Sequence, residues 1–335
     1  MRSHFSHEIN FLGHRRQLLS VSAILVTLAM IGLIARGLVF GIEFKGGSEI
    51  DFQSTGDVTI EQLRSALEAT GEQDLTVQTT ETSDESGFLV RSDTTDPNTA
   101  NEHASAAAEA LGLADSSYTV TTIGPDWGAD TVYSSAIAFL VAIALIIAFV
   151  SIRYEFKMSI TAVVALLHDL VITLGVYAWT QTAITPNVVA ALLTIMGYSL
   201  YDTVVEFDRM NDNAKRRDDV HRTYFQIANF SVNEVIVRTI NTTLTSLVPV
   251  LVMYLIGGST LRDFAFAMLI GEALGTYSSF AVATPLLALW KTREPKWARL
   301  EARYAAAAPR DAQKGTGTPK KKGKAPKGKA PKATK

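Results

Sequence analysis

The stretch VVAALLTIMGYSLYDTVVEFDR, residues 188–209, decides the architecture of this chain. Its first part is almost entirely apolar, and four charged residues follow, at Asp202, Glu206, Asp208 and Arg209. A helix that crosses a bilayer needs about 20 mainly apolar residues. We interpret the stretch as such a helix, whose last three charged residues form its hydrated end. Asp202 then lies deeper, before the apolar run has clearly ended.

The rest of the chain repeats this pattern. The chain has 335 residues, of which 47% are hydrophobic, and it has no cysteine, which excludes disulfides and thiolate metal sites. Its apolar residues collect in segments long enough to span a bilayer. These segments are residues 18–35, 133–151, 157–179, 185–207, 235–256 and 264–290. We therefore predict a polytopic α-helical membrane protein with six transmembrane helices.

Lysine and arginine residues favour one orientation of these helices. They occur in the N-terminal segment 1–17, in the second-to-third and fourth-to-fifth connections, and after residue 290. The opposite connections, WTQTAITPN and GGSTLRD, carry one arginine between them. Because short cytoplasmic loops are enriched in these residues, we expect both termini to lie in the cytoplasm and residues 41–130 to lie outside.

The first apolar run also fits a signal peptide, which has a charged start and an apolar core. No convincing small-residue cleavage site follows the run, and GLVFGIEFKGG at 37–47 leads directly into a folded segment. We favour an uncleaved anchor over residues 18–40, and the signal peptide is the alternative.

Residues 41–130 have the pattern of a small α+β domain. Strand-like stretches at 48–53, 74–81, 88–93 and 117–124 surround two helical ones, at 59–70 and 96–113. We expect Asp57 or Thr59 to cap the first helix. The order β-α-β-β-α-β is the ferredoxin-like arrangement. The segment has eighteen acidic and three basic residues, which indicates solubility outside the cell or a surface for basic or unfolded polypeptide.

The C-terminal segment differs from both regions. We predict that residues 291–335 form a cytoplasmic, Lys-rich and disordered tail, since nine lysines and no acid lie in 314–335. Anionic lipid head groups are the expected partner of such a tail. Ribosomal RNA is a less supported alternative, and we expect no specific nucleic acid.

Charged side chains inside the apolar runs indicate a functional site, because each is costly in hydrocarbon. At 1.5 Å per residue, Asp202 lies about 7–8 Å and Arg238 about 9 Å from the cytoplasmic ends of their helices. We expect an ion pair between them, since each charge otherwise lacks compensation. His168 and Asp169 lie near the middle of the third helix and Glu272 near the middle of the sixth.

Groups of this kind, at this depth, are typical of a proton relay. We assign Asp202, Arg238, Asp169 and His168 to it. Three of them also have a purely structural interpretation. Arg238 could extend its side chain to the interface, and His168 and Asp169 could tie helices together. Small residues such as those around Gly275 favour close helix packing.

Six stretches, in chain order, resemble motifs of the SecF family, a membrane subunit of the bacterial Sec protein-translocation machinery. The first two contain Gly41, Phe44, Gly46 and Gly47, and then Gly124 and Pro125. The fourth contains Asp208 and Arg209, and the fifth contains Thr239. The stretches are GIEFKGG (41–47), IGP (123–125), LLHDLVITLG (166–175), GYSLYDTVVEFDR (197–209), RTINTTLTSLVPVLVMYLIGG (238–258) and GTYSSFAVATPLL (275–287).

The resemblance implies a partner, SecD, of similar architecture, and membership of the resistance–nodulation–division superfamily. It implies that the pair uses the proton gradient to help preproteins leave the SecYEG channel. The family's intramembrane aspartate and arginine match Asp202 and Arg238. We expect no enzymatic activity, no metal and no cofactor, with protons as the coupling ion.

Two residues depart from the family pattern. Tyr201 stands where the family commonly has asparagine, and Glu272 stands where an uncharged residue is expected. Two other functions stay open on the sequence alone. One is a non-conducting scaffold that stabilises the translocon, and the other is half of a small-molecule or lipid exporter of the same superfamily.

Overall fold

A computed structural model describes residues 9–53, 56, 58–72, 75–82, 85–114, 117–216 and 223–307 of the chain. The lysine-rich segment 314–335, for which we predict contact with anionic lipid, lies outside the described residues. So does Asp57, one of the two predicted caps.

The described residues form eleven α-helices and four strands. The strands are β1 Gly47–Phe52, β2 Thr76–Thr82, β3 Glu85–Ser92 and β4 Tyr118–Ile123. The helices are α1 Arg15–Ala35, α2 Ile42–Lys45, α3 Ile60–Ala69, α4 Pro97–Ala110, α5 Pro125–Arg153, α6 Phe156–Thr180, α7 Pro186–Lys215, α8 Tyr224–Ile256, α9 Ser259–Ser278, α10 Thr284–Lys291 and α11 Pro295–Ala307.

Six helical segments in the described ranges are long and apolar enough to cross a membrane, which confirms the prediction of a polytopic helical protein. The sixth segment joins α9 to α10 through a π-helical turn, Ser279–Ala283. The helices α6 and α7 and the sixth segment form the interior of the bundle. The helices α1, α5 and α8 lie at its periphery and expose most of their apolar side chains.

The helices α7 and α9 run side by side in register. Gly275 lies against Ser199, so closely that a Cβ atom at Gly275 would stand 2.8 Å from the Ser199 Cβ. One turn further along, the hydroxyls of Thr203 and Ser279 are 3.0 Å apart. Small residues permit this approach, which sets the depth of every polar side chain on α7 relative to those on α9.

The strands form one antiparallel sheet in the order β2-β3-β1-β4. The helices α3 and α4 cover its apolar face, where Ile50, Phe52 and Leu63 are buried. The chain order of these elements is the predicted one. Thr59 caps α3 through a capping box with Gln62, and Asp96 caps α4. We call residues 47–123 the sheet domain.

The GIEFKGG stretch joins the sheet domain to the membrane helices. Gly47 has φ +125°, and a Cβ atom there would stand 2.3 Å from the Ser92 carbonyl oxygen. Only glycine fits this position. Gly46 packs on Pro125 at the start of α5. The Gly41 N–H donates to the Ile184 carbonyl at 2.9 Å. The sheet domain is therefore tied both to α5 and to the connection between α6 and α7.

The prediction of a disordered tail from residue 291 is wrong for residues 295–307, which form α11. Trp297 is buried, and its ring lies 4.8 Å from that of Tyr224. Glu294, just before the helix, accepts a hydrogen bond from Lys157 at 2.9 Å. This apolar contact and the ion pair hold α11 against the bundle. A lysine count over the whole segment could not reveal either contact.

Candidate functional site

A cavity of about 390 Å³ lies between α7, α8 and α9. Two carboxylates, those of Asp202 and Glu272, belong to its wall. Thr276 on α9 belongs to the same wall. Most of the remaining wall is hydroxylated, by Thr194, Tyr198, Ser199, Tyr201, Thr242 and Thr243. The cavity thus combines two titratable groups with side chains that both donate and accept hydrogen bonds.

The direct ion pair predicted between Asp202 and Arg238 is wrong in this structure, where no N···O contact within 4.0 Å joins these two described residues. Arg238 instead donates from Nη2 to the Tyr201 hydroxyl at 2.6 Å. Its guanidinium carbon also lies 5.9 Å from the centre of the Tyr201 ring. The matched depth of Asp202 and Arg238 holds, but the tyrosine next to the aspartate takes the hydrogen bond.

Hydroxyl groups link α8 to α9 beside the cavity. The side chains of Thr243 and Thr276 are 2.6 Å apart, and Thr243 in turn donates to the Thr239 carbonyl at 2.9 Å. Thr239 itself is buried. These contacts place α8 close to α9, and they bring Arg238, just before Thr239, to the level of the cavity.

Glu272 is enclosed although it faces the cavity. Only 4% of its surface is exposed. Ser246 donates a hydrogen bond to its Oε1. Its Oε2 has no hydrogen-bond partner among the residues that the structure describes. Glu272 was noticed in the sequence but was not assigned to the relay. This enclosure distinguishes Glu272 from an acidic residue at the membrane surface, and the sequence alone does not reveal it.

Asp169 forms a different centre, in the interior of the bundle. It is fully buried and accepts hydrogen bonds from Ser199 at 2.6 Å and from Ser278 at 2.7 Å. The neighbouring His168 places its Nδ1 at 2.9 Å from the other oxygen of Asp169. Asp169 therefore ties α6 to α7 and α9. Ser199 also belongs to the cavity wall, so the two centres touch through one side chain.

His168 lies between Asp169 and α1. Its ring stacks on that of Tyr277, with centroids 6.5 Å apart. The Tyr277 hydroxyl donates to the Leu18 carbonyl at 2.9 Å and accepts from Ser22. The Nε2 of His168 is buried without a partner in the described part of the chain. The four assigned relay residues thus lie in two places. Asp202 is in the cavity wall with Arg238 nearby on α8, and Asp169 and His168 contact each other in the interior of the bundle.

The charged end of α7 is less hydrated than its sequence indicates. Glu206 is 3% exposed and accepts a hydrogen bond from the Thr284 hydroxyl at 2.5 Å, so its assignment to the hydrated end is wrong. It lies on the buried face of α7, beside the sixth segment. Arg209 forms a two-pronged pair with Glu234, at 2.5 and 2.7 Å. Asp208, which is partly exposed, lies 3.6 Å from Arg153.

Within the described ranges, no group of three or more His, Asp or Glu side chains is arranged to hold a metal ion. The chemistry that the arrangement supports is proton acceptance and release by carboxylates at intermediate depth. Exposed carboxylates of the sheet domain, such as Asp96, serve local structure instead. The hydrogen bonds that Asp96 accepts from Thr99 lower the pKa of Asp96.

Comparison with known proteins identifies the family of this chain. Residues 103–293 match the family described as "Protein export membrane protein SecD/SecF, C-terminal". Residues 31–58 match the "SecD/SecF GG Motif", a range that contains Gly46 and Gly47. The protein translocase subunit SecF of Desulfurispirillum indicum is 37% identical over 90% of this chain and 98% of its own length. The protein translocase subunit SecF of Streptomyces coelicolor is 33% identical over 91% of this chain and 83% of its own length.

Solved structures agree as well. The crystal structure of SecDF, a translocon-associated membrane protein from Thermus thermophilus, superposes with a TM-score of 0.77 at 31% identity. A second crystal structure of SecDF, in a super-membrane-facing form, gives a TM-score of 0.62 at 30% identity. The first superposition covers 86% of the present chain and 39% of the SecDF chain. From the family match, the relatives and the fold together, this chain belongs to the SecF branch of the SecD/SecF protein-export family.

Proposed function

We propose that this chain is the subunit of a Sec protein translocase that, with a SecD partner, uses the proton motive force to promote late steps of protein export. The observation that carries the proposal is the cavity between α7, α8 and α9. Its wall contains Asp202 on α7, and it lies at the level of Arg238 on α8. A carboxylate and a guanidinium at this depth raise the free energy of the protein in the membrane, so their presence indicates a function. Protons are the coupling ion, and no other cofactor takes part.

The position of Arg238 supports a partner subunit. Arg238 and Tyr201 are exposed on the surface of this chain, on helices that lie in hydrocarbon. A second protein surface that covers this face removes the guanidinium from lipid. The Thermus thermophilus chain is named SecDF and is longer than this one. A SecD-like protein is therefore the proposed occupant of the face that bears Tyr201 and Arg238.

The proposed orientation follows the distribution of lysine and arginine. Both ends of the described bundle lie on the cytoplasmic side of the cytoplasmic membrane. The sheet domain, a ferredoxin-like unit, lies outside, where its acidic surface meets a translocating preprotein near the SecYEG channel. The Lys-rich tail attracts anionic lipids.

Protonation at the cavity reaches the sheet domain through α9. Thr276 and Glu272 contact the cavity, and Asp263, in the N-terminal part of the same helix, lies near Arg91 and Glu49 of the sheet domain. The Tyr177 hydroxyl donates to the Asp263 carbonyl at 3.1 Å. On the sheet domain, Gln78 donates to the Gln181 carbonyl at 3.1 Å. A shift of α9 against α7 on protonation of Asp202 moves these contacts.

The test is Asp202→Asn, measured as preprotein export from energised inverted vesicles at a fixed membrane potential. We expect the loss of the part of export that depends on the proton gradient. Asp212→Asn, on the same helix but exposed, is the matched control and should export normally. Normal export by Asp202→Asn with intact assembly would leave a scaffold as the function.

A further inference from the structure

We propose that Glu272 and Glu206 are two further proton-carrying residues, which flank Asp202 on its two sides. The three carboxylates then form one path along the α7–α9 contact. This inference rests on the proposed function and deepens it, because it names the groups that deliver protons to Asp202 and remove them.

The register of α7 and α9 puts the three carboxylates in sequence across the bundle. Gly271 lies against Ile195 and Gly275 against Ser199, so the two helices run parallel at matching depth. Glu272 follows Gly271, and Asp202 follows Ile195 by seven residues. At 1.5 Å per residue, Glu272 is about 9 Å closer than Asp202 to the sheet-domain side. Glu206 lies about 6 Å beyond Asp202 on the opposite side.

Glu272 has the environment of a group that receives protons from the cavity. It belongs to the cavity wall together with Asp202. Its unpartnered Oε2 is enclosed, with 4% of the residue exposed. A buried oxygen without a donor is costly when it is charged. A proton on Oε2 or a water hydrogen bonded to it relieves that cost. Either one provides a proton that can be passed on to a neighbouring group.

Glu206 has the environment of a group that receives protons from Asp202. The two residues are one turn apart on one face of α7. Between their levels, the hydroxyls of Thr203 and Ser279 are 3.0 Å apart and able to pass a proton. The sixth segment adopts its π-helical turn, Ser279–Ala283, beside this point. Turns of this kind are frequent at functional sites.

Few other charges face these groups. Tyr198 and Tyr201 on α7 and Arg238 on α8 lie near Glu272 and Asp202. From α6, Asp169 and its neighbour His168 reach the cavity wall through the hydrogen bond between Asp169 and Ser199. Ser246 on α8 is the neutral neighbour of Glu272. The neutral hydroxyl of Thr284 faces Glu206 from α10. No basic side chain forms an ion pair with either glutamate in the part of the chain that the structure describes. Neither glutamate is therefore held as the anion of a salt bridge.

The experiment measures proton flux in liposomes that contain the full chain with its SecD-like partner, under an imposed membrane potential. Glu272→Gln and Glu206→Gln are compared with Asp212→Asn, which removes an exposed carboxylate from α7. We expect each Gln variant to lower the flux by about a hundredfold, the scale of a lost proton-transfer group. Glu272→Asp and Glu206→Asp should restore much of it and shift the pH at which the flux is half-maximal.

Thermal unfolding of the same samples separates this role from a structural one. Glutamine keeps the size of glutamate and can still hydrogen bond to Thr284 or Ser246, so we expect near-normal stability. A parallel loss of stability and flux, without rescue by aspartate, would overturn the inference. So would normal flux in both Gln variants when Asp202→Asn is inactive, and the proposed function would then stand. Normal flux in Asp202→Asn itself would overturn both.

Discussion

The Tyr201 hydroxyl accepts a hydrogen bond of 2.6 Å from the Arg238 guanidinium, and the two residues lie on neighbouring helices. Arg238 is thus hydrogen bonded to the residue next to Asp202 and not to Asp202 itself. A hydroxyl is neutral, so the arginine keeps its charge available for the cavity while its direction is restrained. Tyr201, rather than the neighbouring Asp202, therefore sets the direction of the Arg238 side chain.

Tyr201→Phe removes only the hydroxyl of this contact. We expect proton-driven export to fall by roughly 10- to 150-fold, which corresponds to about 1.5–3 kcal/mol for a hydrogen bond to a charged group. The measurement is the rate of preprotein export at fixed potential. Tyr198→Phe, on the same helix and also exposed, is the control for loss of a tyrosine hydroxyl. Equal effects of the two changes would contradict a specific role for the Arg238 contact.

Gly275→Ala tests the close contact between α7 and α9. The added Cβ atom would stand 2.8 Å from the Ser199 Cβ and 3.1 Å from its Cα, and the backbone cannot yield without separating the helices. We expect the free energy of unfolding to fall by about 1–3 kcal/mol, the scale of an overpacked core. Thermal unfolding of the purified protein measures this. Gly197→Ala, which meets nothing within 4 Å, should be neutral or stabilising, and equal destabilisation by both would refute the steric explanation.

Asp169→Asn should act mainly on stability. The aspartate receives hydrogen bonds from Ser199 and Ser278 on two other helices. An amide in its place keeps only one acceptor oxygen, so it cannot serve both the two serines and His168 as the two carboxylate oxygens do. We expect a loss of about 2–3 kcal/mol in the free energy of unfolding. Resistance to unfolding in denaturing detergent measures it. Asp202→Asn is the comparison, and its free energy of unfolding should fall by less. A larger fall for Asp202→Asn than for Asp169→Asn would contradict a mainly structural role of Asp169.

Glu294 links pH to the docking of α11. Burial acts to raise the pKa of Glu294, but the hydrogen bond from Lys157 and the charge of Lys291 outweigh it, so the pKa lies below its ordinary value. A lowered pKa stabilises the folded state above the unfolded value of 4.5, and that stability is lost as the pH falls through the folded pKa.

Glu294→Gln should therefore lower the free energy of unfolding at pH 7 by up to about 1 kcal/mol, the scale of a partly exposed ion pair. The difference from the unmodified chain should vanish in acid, below the folded pKa. Thermal unfolding at several pH values measures both effects, with Asp212→Asn as the control. A loss of equal size at every pH would show that the side chain acts through packing rather than through its charge.

The sequence by itself determined the spans, the sheet domain and the depth of the buried charges. Apolar length and helical rise are local properties, so they predict where a helix enters hydrocarbon and how far along it Asp202 lies. The alternation of the strands and the cap at Thr59 are local in the same way. Each of these features could be predicted without knowledge of any neighbour.

Only the tertiary structure decided which partner each charge has. Equal depth does not specify rotation about a helix axis, so Asp202 and Arg238 match in level while Arg238 donates to Tyr201. Asp169 is satisfied by two serines that lie far away in the chain, and Glu206 is buried because α10 covers it. The glycine contacts between α7 and α9 set the register that aligns Glu272, Asp202 and Glu206. Such contacts join residues distant in sequence, and their geometry depends on how whole helices pack.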